Sequence, residues 1–133
     1  MITIGLTTDG PHTPEYTRHV GNALAEAVRV LLYATLSDGL EYPSDAYTLL
    51  GALATATQRM PQLVGQLASF LEAQAAAGRL ADDSGDEPLT LVRQAARELQ
   101  DAAEAAGEMA ASLREAQNVI SGLAVKGDGD GSE

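Results

Sequence analysis

Between Ala46 and Leu71 the chain carries a single charged residue, Arg59, and its apolar positions fall in alternating steps of three and four. Ala46, Leu49, Leu53, Ala56, Met60, Leu63, Leu67, Phe70, Gln74 and Ala77 mark the a and d positions of a helix packed along one seam. The other side is no ordinary solvated face: Gly51, Ala54, Thr55, Gly65, Ala68 and Ser69 are small and uncharged, and Leu50, Val64 and Leu71 widen the stripe. A helix apolar on one side and small on the other is expected to be covered on both. The pattern predicts a long central helix over 44–78, capped by Ser44 with Asp45 just inside. It does not predict a membrane span, which needs about 20 mostly apolar residues, because Gln58, Arg59, Pro61, Gln62 and Gln66 interrupt the run.

Pro61 removes one backbone donor and crowds the carbonyl of Thr57, at a cost of roughly 3 kcal/mol if the helix stays straight. A kink near Thr57 to Pro61 is therefore expected. The alternative is two helices with Pro61 opening the second, against which stand Met60 as a poor cap and a register that runs through unbroken.

Thr13, Pro14 and Glu15 form a helix start: a hydroxyl to cap free donors, a proline where none is missed, and a carboxylate at the positive end. The first helix is expected over 14–36, with Val20, Leu24, Ala27, Leu31 and Ala34 as its core stripe and Glu15, His19, Asn22 and Glu26 opposite. Asp38-Gly39 stops it, and the short link over 40–43 makes helices one and two antiparallel neighbours. Gly78 ends the central helix, and an acidic loop over 81–87 leads to a third helix expected over 87–124, capped by Asp86 or Glu87.

In the third helix Val92, Leu99, Ala106, Leu113 and Ile120 recur every seven residues, with Ala95, Ala102, Met109, Ala116 and Leu123 between them and Ala96, Ala103 and Ala110 beside the seam. Arg93, Arg97, Asp101, Glu104, Glu108, Arg114 and Glu115 read as its solvent face. Helices two and three match at roughly 50 Å and should zip together, while the shorter helix one covers only part of that pair. The expected fold is all-α: a three-helix bundle built on a long antiparallel coiled-coil hairpin of helices 2 and 3, with a shorter helix 1, completed by oligomerisation. The bundle domain is 13–125, preceded by a strand-like or flexible arm over 1–12 and followed by a disordered acidic tail over 126–133.

A chain of 133 residues is one domain with a modest core. Its net charge of −11 argues against nucleic-acid binding, which needs clustered Lys and Arg. Lys126 is the sole lysine among eight basic residues, which with abundant alanine indicates a GC-rich bacterial genome. Cysteine is absent, so there is no disulfide frame or thiol nucleophile. Residues 1–10 lack the features of a secretory signal, and a cytoplasmic location is expected.

His12 and His19 could be joined on paper with Glu15 and Glu26 as metal ligands, but no Glu-x-x-His pair is present and an exposed polar face is the expected reading. Asp82, Asp83, Asp86 and Glu87, and separately Asp128 and Asp130, invite a calcium reading, yet neither group has an EF-hand's length or ligand order. No phosphate loop and no nucleophile beside a base is found, so no enzyme and no cofactor are expected. Small helical-hairpin proteins exported by specialised bacterial secretion systems share this size and helix pairing. Their Trp-x-Gly turn is impossible in a chain without tryptophan, and the turn between the long helices is instead the acidic loop, so that family is not assigned.

The feature singled out as functional is the stripe Gly51, Thr55, Gln58, Arg59, Gln62, Gly65 and Ser69, read as an interface; the other reading is packing against helix one. The expected function is a non-enzymatic protein-protein interaction or assembly module, self-associating as a homodimer or meeting another helical protein. The alternative is a small acidic regulatory subunit, antitoxin- or inhibitor-like, that folds against a different protein.

Overall fold

The computed structural model describes residues 4–127. Among them there are three helices, α1 (Pro14–Leu36), α2 (Pro43–Ala76) and α3 (Pro88–Val119), and no strand. The start of the arm and the tail from Asp128 onward, with the Asp128 and Asp130 pair, lie outside the described residues. The chain divides into two units at Glu41 and Tyr42.

In the first unit the described residues 4–12 of the arm form no strand and are tied to α1. The Tyr16 hydroxyl donates to the Gly5 carbonyl at 2.6 Å and accepts from the Thr7 N–H at 3.1 Å, while the His12 ring stacks on Tyr16 at 5.5 Å. Thr13 caps α1 as expected, its hydroxyl accepting from the Tyr16 N–H at 3.0 Å. On the helix surface Arg29 donates to Glu26 at 2.6 Å, a hydrogen bond that holds the Glu26 carboxyl below the ordinary carboxylate range. Both groups are well exposed, so the pair adds little stability. At the far end the Gly39 N–H donates to the Ala34 carbonyl at 2.9 Å, and a Cβ at Gly39 would run into that same carbonyl.

The second unit is a hairpin of α2 and α3, each about 50 Å long. Tyr42, not Ser44, is the N-cap of α2: Pro43 takes the first helical position, and the Asp45 carboxylate reaches back to accept from the Tyr42 N–H at 2.8 Å. Proline with its fixed φ thus starts the helix one residue before the expected serine. At the other end Gly78, at φ 71°, lets its own N–H and that of Arg79 close on Ala75 and Gln74, each at 3.1 Å. In the acidic loop Asp82 accepts from the N–H and the hydroxyl of Ser84, which pulls its carboxyl below the usual range. Glu87 is the N-cap of α3 through its carbonyl rather than its side chain. This helix stops at Val119, short of the expected 124, in successive turns closed from Ser121 to Asn118 and from Leu123 to Ile120.

The central helix runs unbroken through Pro61, which removes the two-helix alternative. Just before it, the Thr57 hydroxyl donates to the Leu53 and Ala54 carbonyls at 2.9 and 3.1 Å.

Which face of α2 meets α3 differs from the expectation. Of the ten seam positions, Ala46, Leu49, Leu53, Ala56, Met60 and Gln74 are partly buried, but Leu63, Leu67, Phe70 and Ala77 are exposed, whereas Val64, Ala68 and Leu71 are partly buried and Ala54 is fully buried. The third helix shows the same offset. Val92, Leu99, Ala106, Leu113 and Ile120 point inward as expected, but Ala96, Ala103, Ala110 and Gln117 alternate with them, while Ala102, Met109 and Ala116 are exposed. Small residues therefore face small residues, which allows helix axes to lie near the lower end of the usual 8 to 10 Å spacing.

Two substitutions test these local causes. Gly39→Ala should destabilise the chain by about 1–3 kcal/mol, because the backbone must move to clear the Ala34 carbonyl. Pro61→Ala should leave helicity intact and raise stability by about 1 kcal/mol or more, because the Thr57 carbonyl regains a donor. Urea unfolding followed by circular dichroism measures both.

Candidate interaction surface

Among the described residues, side-chain hydrogen bonds cross the hairpin over the first half of α2. Arg114 donates to the Thr55 hydroxyl at 3.0 Å and to the Gln58 side-chain carbonyl at 3.2 Å, and Gln117 donates to the Tyr47 carbonyl at 3.2 Å. A Cβ on Gly51 would stand 2.6 Å from the Gln117 amide nitrogen, so the missing side chain makes room for that contact. Arg114, expected on the solvent face of α3, is instead partly buried between the helices. Its acceptors are neutral, and among the described residues Arg29 with Glu26 is the ion pair that forms.

Three residues of the singled-out stripe, Gly51, Thr55 and Gln58, thus serve contacts with α3. The other four, Arg59, Gln62, Gly65 and Ser69, are exposed, and a Cβ on Gly65 would meet nothing within 4 Å. Together with Arg114 the stripe forms a polar flank of the hairpin.

The opposite flank is apolar. Leu53 and Met60 each lie two residues from Thr55 or Gln58, about 160° away around α2, and Met109 lies five residues from Arg114, about 140° away around α3. Since Arg114 ties one flank of each helix together, these residues share the other. Continuing along α2, Leu63, Leu67 and Phe70 are 46, 51 and 60 % exposed, and Met109 is 53 % exposed. The sequence contains these side chains in plain view as the a/d seam. The signal that would have turned them outward is the heptad spacing of Ala96, Ala103 and Ala110, whose natural partners are Ala54 and Ala68 rather than Leu63 and Leu67.

Each unit, taken by itself, has a shallow concavity among its described residues. One, of about 230 Å³, is lined by Ile4, His19, Asn22, Ala23 and Glu26 in the first unit; the other, of about 200 Å³, lies where Leu123, Ala124 and Val125 approach Tyr42, Pro43 and Ser44. Among the described residues no three His, Asp or Glu side chains gather in a metal-binding group, and no helix is long and apolar enough to cross a membrane. Comparison with protein-family models, curated proteins and solved structures gives no significant match.

The polar clasp makes a prediction of its own. Arg114→Met keeps most of the side-chain volume but strands Thr55 and Gln58, and should cost about 1–3 kcal/mol. Because both acceptors are neutral, the loss should be the same at low and high salt; a loss that shrinks in salt would reveal a carboxylate partner.

Proposed function

We propose that this protein is a self-associating helical interaction module that acts without catalysis, with the homodimer as its assembly. What supports this reading best is the row Leu63, Leu67, Phe70 and Met109, each about half exposed on a hairpin whose buried hydrophobic residues are Ala54, Val92 and Ala110. Fully burying one large apolar side chain contributes roughly 1.5–3 kcal/mol. Four such groups left half in water forgo several kcal/mol, a quantity comparable to the roughly 5 kcal/mol at the low end of domain stability. A hairpin with so slight a core gains that stability by meeting another apolar surface. In this reading the partner is protein, with no nucleic acid, membrane or cofactor, and the compartment is the cytoplasm.

The second reading, an acidic regulatory subunit that folds against a different protein, draws support from two features. The net charge is −11, and in the last two turns of α1 the side chains of Val30, Leu32, Tyr33 and Leu36 are exposed on several sides of the helix. Light scattering of the purified chain separates the readings. The expected outcome is a dimer that survives dilution; a monomer that aggregates unless co-expressed with a protein encoded beside it supports the regulatory subunit instead.

A further inference from the structure

The self-association reading leaves open which surface makes the contact. Resting on that reading, we infer that it is the apolar flank of the hairpin, formed by Met60, Leu63, Leu67 and Phe70 of α2 with Met109 of α3. Its occupant is the same flank of a second copy, so that two hairpins close a four-helix bundle.

Charge selects a like copy. The chain is highly acidic, and most of its surfaces repel their own image. From Ala46 to Leu71 the central helix carries Arg59 alone, and that residue is exposed. The α2 side of this contact holds no carboxylate; Arg59, four residues from Leu63, stands at its edge, and Glu98, within about 20° of Met109 around α3, is the carboxylate on that side, while the acidic loop and the Glu104 and Glu108 side of α3 stay in water.

Size agrees. The stretch from 46 to 71 spans about 39 Å, and a face two helices wide is about 20 Å across. The product, roughly 800 Å² per copy, is what each partner contributes to a stable interface of standard size. A second hairpin has the same length and width, so a two-fold arrangement covers every turn of the flank, as in four-helix bundles. The stripe at Gly65 and Ser69 lacks this: it offers small groups, and Gln58 and Gln62 further along it are amides.

Sedimentation of the full chain and of Leu67→Glu, Phe70→Glu and Gly65→Glu tests the assignment, with circular dichroism as the check on folding. Leu67→Glu and Phe70→Glu should raise the dimer dissociation constant by about a hundredfold or more, because each buries an unpaired charge, and should remain helical. Gly65→Glu should stay dimeric. If Gly65→Glu dissociates while Leu67→Glu does not, the contact belongs to the small-residue stripe; self-association then stands and the apolar flank is overturned. A parent chain that is monomeric at every concentration overturns both. Should the glutamate variants lose helicity, Met109 reports on the unaltered protein by peroxide oxidation and mass spectrometry. Oxidation that is slow in concentrated solution and quickens on dilution supports the flank, and a rate independent of concentration overturns it.

Discussion

The close approach of small side chains along the hairpin is the constraint on which the rest of the unit depends. Ala96, Ala103 and Ala110 on α3 recur every seven residues, and α2 answers with Ala54, Ala68 and the partly buried Val64. Such a contact gains from proximity of backbones and from many weak dispersion contacts rather than from bulky knobs. It also fixes the rotation of α2. Once the alanines face inward, Leu63, Leu67 and Phe70 of the same helix face elsewhere, and the polar stripe is carried to the far flank where Arg114 meets it.

Much of this was legible from the sequence, and the part that was not has a single physical origin. Helix starts at Pro14 and Pro88 and the stop at Gly78 follow from proline's missing donor and glycine's access to positive φ, which are local effects. The heptads of α3 at Val92, Leu99 and Ala106 were equally plain. The rotation of α2 was not, because its sequence offers two apolar faces, one of large residues and one of small ones, and periodicity scores them alike. The choice depends on what the opposite helix presents. Arg114 was misplaced for the same reason: a charged residue four positions from Ala110 looks solvated until its neighbours on α2 are known to be hydroxyl and amide.

The functional surface inherits this ambiguity. Gly51, Thr55 and Gln58 drew attention as small or uncharged residues on a helix without charge, and the hairpin itself accounts for them through Gln117 and Arg114. Leu63, Leu67 and Phe70 had been assigned to the inside, so they were not considered as surface. A face that a single chain leaves partly wet is visible only when the alternative face has been seen to fill the contact.

The clasp at Arg114 and Gln117 has a consequence for alignment. An alanine repeat of seven by itself distinguishes poorly between registers one heptad apart, since each small residue would meet another small residue. The hydrogen bonds to Thr55 and Gln58 and the gap at Gly51 are not reproduced together one heptad away: their places fall to Gln62, Gly65 and Gln58 in one direction and to Thr48, Gly51 and Ser44 in the other. These polar contacts over the first half of α2 thereby act as a vernier for the whole pair, adding a single setting to a periodic zipper.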